Sequence, residues 1–325
     1  QVVKELGKFG GVSRDLRESP LQMEFDLRDV ADGRYVVAVD VRDDSRTIGT
    51  ASLAVVVRKG VDATVSRLES EATRAPEALR AEILFPVDRM RNVNRGRLEL
   101  RMLDIDRDFA AAESVLVAVK AGKDPYAGRT GDIKRHYTLA SADEVISYRM
   151  YVPSAYAQSR PAPLIIALHG LGGTEDSFFD GYGRKLPELA EQRGYIVAAP
   201  LGYRVDGAYR YGVGAPPADA ATRRTQELSE EDVMQVLAQV RKLYRIDENR
   251  IYLMGHSMGA IGTWKLAPKY PDIWAALGLF AGQGTPSTVE QMRHIPAFVV
   301  HGDADPTVNV AGSRAMVAAM KTLGV

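Results

Sequence analysis

The chain has 325 residues, 46% hydrophobic and 26% charged, a composition typical of a globular protein with one or two domains. Its 42 basic residues balance 42 acidic ones. The chain therefore lacks the excess positive charge that nucleic-acid-binding proteins carry, which argues against a role in binding nucleic acid. The absence of cysteine excludes disulfides and thiolate chemistry, and no apolar run reaches the roughly 18 residues that span a bilayer.

The first 60 residues predict β-structure. We expect strands at 22–27, 34–42 and 47–58, because apolar and polar residues alternate there and turn residues such as Asp32-Gly33 separate them. An independent sandwich usually needs about seven strands. Residues 1–60 are therefore interpreted as a small β-rich, sandwich-like domain.

Helical periodicity follows over residues 61–130. Apolar residues spaced for one face predict helices over 62–92, interrupted at Pro76, and again over 109–121. A short extended run is expected at 97–103. The glycines and proline after residue 121 form a linker, so we place the main domain boundary near residue 130.

Residues 131–325 alternate between apolar strands and amphipathic helices. Near-continuous apolar strands are typical of a parallel sheet covered on both faces. The predicted fold class is α/β, with a mostly parallel, doubly covered sheet. Strands are expected at 135–139, 147–152, 164–168, 196–199, 251–254, 275–280 and 297–300. Helices are expected at 178–193, 229–243, 258–269 and 311–323.

The sharpest chemical signal is the pentapeptide Gly255-His256-Ser257-Met258-Gly259. It lies between an apolar strand and a helix, where a sharp turn lifts the serine hydroxyl above the sheet edge. The flanking glycines are expected because a side chain there clashes with the neighbouring strand and helix. This pattern predicts Ser257 as a nucleophile.

A second motif, His169-Gly170-Leu171-Gly172-Gly173, follows the strand at 164–168. A glycine-rich loop at a strand end can turn a backbone amide toward a developing oxyanion. We predict that the amides of Leu171 and Met258 form the oxyanion hole, with His169 and Gly170 beside the substrate. The His169 side chain itself is expected to pack and form hydrogen bonds.

A third motif runs from His301 to Val308, after the last predicted strand, and contains two candidate acids. An acid that orients an imidazole must lie at a strand end beside the nucleophile. We favour Asp305, because two or three residues are needed to swing over the sheet edge before Pro306. Asp303 is expected to cap the turn instead.

Together these motifs resemble the α/β-hydrolase fold and most closely the serine esterases of the polyhydroxybutyrate-depolymerase and feruloyl-esterase type, relatives of the prolyl-oligopeptidase-like hydrolases. The resemblance covers about residues 134–325. It implies a Ser-His-Asp triad, an acyl-enzyme and a catalytic histidine downstream of the acid.

No histidine follows Asp305, because the five histidines lie at positions 136, 169, 256, 294 and 301. The Leu323-Gly324 pair resembles a helix C-cap, after which the family has one more strand and the histidine loop. We therefore expect the triad histidine to lie in a C-terminal segment outside these 325 residues. The alternative is a complete protein that has lost its base.

Residues 200–228 predict a long irregular segment that carries three candidate pocket tyrosines: Tyr203, Tyr209 and Tyr211. Loops at this sheet edge often carry specificity, although tyrosines packed for stability are an equal alternative. No metal site is predicted, since the histidines lack ligand spacing. No cofactor is expected, because the glycine loops lack the dinucleotide-binding spacing.

The sequence therefore predicts a carboxylesterase acting on short-chain or aryl esters, whether small molecules or polymers. The alternatives are a prolyl-oligopeptidase-like serine peptidase and a catalytically inactive binding protein with the same fold. A secreted or periplasmic location is favoured, with a cytoplasmic one left open, and the oligomeric state is not predicted.

Overall fold

The computed structural model describes residues 2–11, 24–43, 45–94, 103–210 and 216–324. The chain divides into two compact units, Gln1–Arg67 and Leu68–Val325. The predicted strand at 22–27 falls partly outside the described residues, and residues 24–27 form no strand. The predicted extended run at 97–103 falls almost entirely outside them.

The first unit contains a β-hairpin. Strands β1 (Gly33–Asp43) and β2 (Arg46–Val57) pair antiparallel. The hairpin is two-stranded where three strands were predicted, so it is smaller than the expected sheet. Large apolar side chains such as Val36 and Leu53 are exposed on it.

Three helices follow, α1 (Val61–Arg74), α2 (Glu77–Asn94) and α3 (Ile105–Lys120). They match the predicted helical segments, and Pro76 separates the first two as expected. The second compact unit begins at Leu68, so α2 and α3 belong to the same unit as the large sheet and are not a separate connector ending near residue 130. The physical link is the buried Glu82 of α2, which accepts hydrogen bonds from Arg135 Nε at 2.5 Å and from the His136 backbone at 3.2 Å.

Seven strands form the large sheet of the second unit. They are β3 (Gly131–Leu139), β4 (Glu144–Val152), β5 (Ala162–Leu168), β6 (Ile196–Pro200), β7 (Ile246–His256), β8 (Ala276–Phe280) and β9 (Ala297–Val300). Their spatial order is β3-β4-β6-β5-β7-β8-β9. Strand β4 pairs antiparallel with both of its neighbours, β3 and β6. The remaining neighbours in this order, from β6 through β5, β7 and β8 to β9, pair parallel.

Four helices lie between the parallel strands along the chain, and a fifth follows β9. They are α4 (Ser177–Asp180), α5 (Lys185–Arg193), α6 (Ala220–Leu243), α7 (Met258–Lys269) and α8 (Val310–Thr322). The predicted helix at 178–193 is broken in the middle, because Tyr182, Gly183 and Arg184 have φ values of 50°, 61° and 58°. Helix α6 begins earlier than predicted, since the Asp219 side chain accepts from the Thr222 amide at 2.7 Å and caps it.

Apolar side chains fill both faces of the sheet. Ile166 and Ala167 are neighbours on β5, and they belong to two different buried clusters because successive strand residues face opposite sides. Val197 of β6 joins Ala167 in the smaller cluster. The predicted α/β architecture, with a mostly parallel and doubly covered sheet, is thus confirmed. Within the described residues, no helix combines the length and apolar character needed to cross a membrane.

Candidate active site

Ser257 occupies the turn between β7 and α7 and has φ 54° and ψ −116°. A residue with a side chain rarely adopts this conformation, and such strain concentrates at functional sites. The Ser257 amide donates to the Phe280 carbonyl at 2.8 Å, which ties the turn to the neighbouring strand β8. The structure therefore places Ser257 on a strained strand-to-helix elbow.

The glycines on either side of Ser257 are required by close packing. A side-chain carbon on Gly255 would lie 2.2 Å from the Gly259 carbonyl carbon, and one on Gly259 would lie 2.0 Å from the Leu168 oxygen. Both distances are shorter than any non-bonded contact allows. Hence the helix can follow the strand this closely only if both positions lack a side chain.

The glycine-rich loop after β5 lies beside the elbow. A side-chain carbon on Gly170 would be 3.4 Å from the Ser257 Cβ and 3.3 Å from the His256 Nδ1. Leu171, the next residue, is 71% exposed. Among the described residues, the backbone amides of Leu171 and Met258 have no recorded acceptor. Leu171 belongs to this loop, and Met258 follows Ser257 directly and begins α7.

Asp305 lies in the turn after β9. Its Oδ1 accepts from the amides of Val308 at 3.0 Å and Thr307 at 2.8 Å, and these bonds hold the pKa of the carboxyl below its usual range. The turn is therefore capped by Asp305. The expectation that Asp303 would cap it is wrong, because these two amides are already bonded to Asp305.

All five histidines lie in the described residues, and none has a recorded hydrogen bond to the Ser257 hydroxyl. His169 and His301 are buried between backbone or hydroxyl oxygens, His136 bonds to Glu82, His294 bonds to the Pro271 carbonyl and His256 bonds to Tyr182. Among the described residues, no imidazole is therefore bonded to the Ser257 hydroxyl.

His256 has a partner that the sequence did not indicate. Its Nδ1 lies 2.9 Å from the Tyr182 hydroxyl, and Tyr182 reaches it from the left-handed turn between α4 and α5. Burial lowers the pKa of His256, while the negative charge of Asp305 acts in the opposite direction. His256 ends β7 and Asp305 follows β9, and these strands run parallel through β8, so both residues lie at the same sheet edge. No local sequence pattern predicts a tyrosine with a positive φ, so the contact between Tyr182 and His256 was not predicted from the sequence.

For two of the three candidate pocket tyrosines, the structure favours the alternative of packing for stability. Tyr209 is fully buried, and its hydroxyl donates to the His169 carbonyl at 3.2 Å. Tyr203 is also buried and donates to Glu144 at 3.0 Å. These two side chains lie in the core and present little surface to a substrate. Tyr211 lies outside the described residues.

A buried carboxyl on α6 was also missed. Asp232 accepts from the Tyr137 hydroxyl at 2.6 Å and from the Tyr203 amide at 2.8 Å. Burial raises the pKa of Asp232 to about 7. In the sequence this residue is one of several charges at the start of the helix predicted over 229–243, so only its tertiary contacts distinguish it.

A strained serine elbow and an adjoining glycine loop, both at the carboxyl end of a parallel sheet, define an α/β-hydrolase. Residues 146–293 match the family model described as Esterase PHB depolymerase, so this part of the chain is similar to that family. This agrees with the resemblance inferred from the sequence motifs.

Related sequences include a bifunctional acetylxylan esterase/xylanase of Neocallimastix patriciarum, 30% identical over 49% of this chain and 21% of that protein. Feruloyl esterase B of Neurospora crassa is 34% identical over 41% of this chain and 42% of that protein. The chain thus spans less than half the length of each of these relatives.

Solved structures similar to this chain include a ferulic acid esterase of Anaeromyces mucronatus, with a TM-score of 0.49 and 16% identity over 62% of this chain and 82% of that one. A thermostable esterase has a TM-score of 0.45 and 26% identity, with coverage of 59% and 52%.

Proposed function

We propose that this chain is the catalytic domain of a serine carboxylic-ester hydrolase. The observation that carries the proposal is the left-handed backbone of Ser257 beside Gly170. An enzyme that attacks a carbonyl needs a projecting nucleophile with amide donors close by. The sequence relatives support the same reaction, because they are named as esterases.

In the proposed reaction, the Ser257 oxygen attacks the ester carbonyl and the amides of Leu171 and Met258 stabilise the tetrahedral oxyanion. Met258 begins helix α7, so the positive end of the helix dipole adds to its amide. Each donor is worth about 3 kcal/mol of the activation barrier. A histidine base takes the Ser257 proton and gives it to the departing alcohol, which leaves an acyl-enzyme that water hydrolyses.

Asp305 is proposed as the acid that orients the catalytic imidazole. Its Oδ1 is engaged by two backbone amides, and its Oδ2 lies 3.4 Å from the His301 Nε2. Since none of the five histidines is bonded to Ser257, we propose that the base is a histidine from outside residues 1–325. The experiments below therefore use the full-length natural protein.

The proposed substrates are short-chain or aryl esters, either small or part of a polymer. The relatives named feruloyl esterase and acetylxylan esterase support esters of this kind. A prolyl-oligopeptidase-like peptidase is the alternative enzyme, and the comparison of ester and anilide hydrolysis below distinguishes the two.

The test is labelling of the full-length protein with a fluorescent phosphonate, followed by hydrolysis of p-nitrophenyl acetate and of the matching anilide. We expect labelling that Ser257→Ala abolishes, and hydrolysis of the ester in preference to the anilide. Faster anilide cleavage would identify a peptidase. A folded protein that neither reacts with the probe nor cleaves either substrate would be an inactive member of the fold.

A further inference from the structure

Tyr182 lies beside the proposed nucleophile. Its hydroxyl is 2.9 Å from the Nδ1 of His256, the residue before Ser257. A side-chain carbon on Gly170 would lie 3.3 Å from that same Nδ1 and 3.4 Å from the Ser257 Cβ. Through this shared imidazole nitrogen, the Tyr182 hydroxyl comes next to both the serine elbow and the glycine loop.

One face of the Tyr182 ring is covered, and the other is open. The buried Phe178 of α4 stacks on it, with ring centroids 5.2 Å apart and ring planes 24° from parallel. The His256 ring lies 5.7 Å away at 73°. Tyr182 is nevertheless 55% exposed, and for a ring stacked on one face the free area lies mainly on the opposite face. A flat aromatic surface is thus open to solvent beside Ser257.

The backbone that carries this ring is strained. Tyr182, Gly183 and Arg184 are three consecutive residues with φ values of 50°, 61° and 58°, which residues with a side chain rarely adopt. Such strain persists only where the surrounding structure imposes it, and it clusters at catalytic and ligand-binding sites. A tyrosine that only covered surface would not require such a backbone.

Ion pairs impose this turn. Arg184 Nη1 donates to Asp180 Oδ1 at 3.2 Å, and Asp180 also accepts hydrogen bonds from Arg149 of β4 at 2.8 Å and 3.0 Å. Arg149 donates two further hydrogen bonds to Asp132 of β3, at 2.8 Å and 2.7 Å. The turn that carries Tyr182 is therefore anchored to two strands of the large sheet, and the ring is held in place before a substrate arrives.

A fixed aromatic face beside a nucleophile favours substrates that carry a flat ring. Aromatic rings attract one another in offset-stacked and edge-to-face arrangements, and this attraction adds to the burial of apolar area. A tyrosine has only two side-chain torsions, and the hydroxyl of Tyr182 is already bonded, so little freedom is lost on contact. An aliphatic group covers less of the ring and gains less.

We propose that Tyr182 is a specificity-determining residue whose open face binds an aromatic ring carried by the ester. The inference rests on the proposed esterase function and adds the residue that selects ring-bearing substrates. The ring belongs either to the acyl part or to the alcohol part of the ester, and the test distinguishes these two positions.

The test uses two pairs of esters whose members differ by a phenyl group in place of a methyl group. Methyl cinnamate and methyl crotonate carry this difference in the acyl part, and both contain the same conjugated double bond. Benzyl acetate and ethyl acetate carry it in the alcohol part. The ratio of kcat/KM within each pair is measured on the full-length natural protein, so effects common to all esters cancel.

We expect the wild-type protein to prefer the ring-bearing ester in at least one pair. Tyr182→Leu keeps an apolar side chain without the flat ring, so the preference should fall about tenfold, while kcat/KM for the methyl-bearing ester stays within about twofold. Tyr182→Phe keeps the ring and loses only the bond to His256, so it should retain the preference within about threefold. The pair that responds identifies the part of the ester that lies on the ring.

Tyr195→Leu is the matched control. Tyr195 directly precedes β6, whereas Ser257 follows the end of β7. Since β6, β5 and β7 run parallel, Tyr195 lies at the opposite edge of the sheet, where its ring packs 5.9 Å from that of Tyr252. This variant should leave both ratios unchanged. Circular dichroism and thermal unfolding check that every variant is folded.

An unchanged preference in Tyr182→Leu would overturn the proposal. So would an equal fall in kcat/KM for both members of each pair, because the tyrosine would then only support the elbow. A loss in Tyr182→Phe as large as in Tyr182→Leu would assign the effect to the hydroxyl and reject the role of the ring.

The wild-type protein separates this proposal from the proposed function. Hydrolysis of all four esters without any preference for a ring would reject the specificity and keep the esterase function. A folded protein that cleaves none of the four would reject the esterase function itself, and the proposed specificity with it.

Discussion

The carbonyl oxygen of Leu168 and the α-carbon of Gly259 lie so close that any side-chain carbon on Gly259 would approach the oxygen to 2.0 Å. This contact brings the end of β5, which carries the proposed oxyanion loop, against the first turn of α7, which follows the proposed nucleophile. The two halves of the proposed site are therefore held together by a position that tolerates only glycine.

Gly259→Ala is expected to lower the free energy of unfolding by about 3 kcal/mol or more, because backbone atoms cannot move away as flexible side chains can. Urea unfolding followed by circular dichroism measures the change. Gly302→Ala is the matched control, since nothing lies within 4 Å of a side-chain carbon there, and it should change stability by less than about 0.5 kcal/mol. Equal stabilities of the two variants would contradict the packing argument.

Leu171→Pro should lower kcat by about 10² to 10³-fold, because proline has no amide hydrogen to donate to the oxyanion. Leu171→Ala keeps the amide and should retain nearly all the activity, since the leucine side chain is 71% exposed. Steady-state hydrolysis of p-nitrophenyl acetate compares them, with thermal unfolding as the check on folding. If the alanine variant loses as much activity as the proline variant, the leucine side chain rather than its amide is what matters.

Asp305→Asn should preserve the turn after β9, since an amide oxygen can still accept from the Thr307 and Val308 amides. It should nevertheless lower kcat by about 10³ to 10⁴-fold, because a neutral amide no longer stabilises an imidazolium. The exposed Asp303 provides the control variant Asp303→Asn, which should retain activity. The opposite ranking of these two variants would reassign the acid to Asp303.

Asp88 of α2 should make the stability of the second unit depend on pH. Burial raises the pKa of its carboxyl to about 6, so between about pH 4 and pH 6 the native state binds more protons than the unfolded state. Stability must then fall as pH rises through this window. Asp88→Asn should flatten the dependence and stabilise the protein at neutral pH, as measured by urea unfolding.

The exposed Asp272 supplies the control for that experiment, because Asp272→Asn removes the same charge without a buried site. Its stability should follow the wild-type pH dependence. If Asp88→Asn also follows the wild-type curve, then burial of Asp88 is not what sets the pH dependence in this range.

Several features of this protein followed from local sequence alone. Helix α7 spans Met258–Lys269 as predicted, and strand β9 spans Ala297–Val300 as predicted. Apolar runs with a period of two or 3.6 residues contain the information for such elements. The need for glycine at positions 255 and 259 could also be predicted from the sequence, because it is a steric requirement of one tight turn.

Other features needed the folded chain. The Tyr209 hydroxyl reaches a carbonyl 40 residues away, and the His136 ring reaches Glu82 54 residues away. The first contact lies in the core and fixes Tyr209 there. The second contact joins α2 to the large sheet. Such a bond joins two single residues that lie far apart in the chain, so it produces no periodic pattern from which it could be predicted.

The residues alone thus determined the order of strands and helices and the position of the serine turn, because both depend on interactions within a few residues. Tertiary structure decided which Asp305 oxygen is bonded, where Asp232 is buried and that both nitrogens of His169 face carbonyl groups. These depend on distances between segments far apart in the chain, and only packing brings them together.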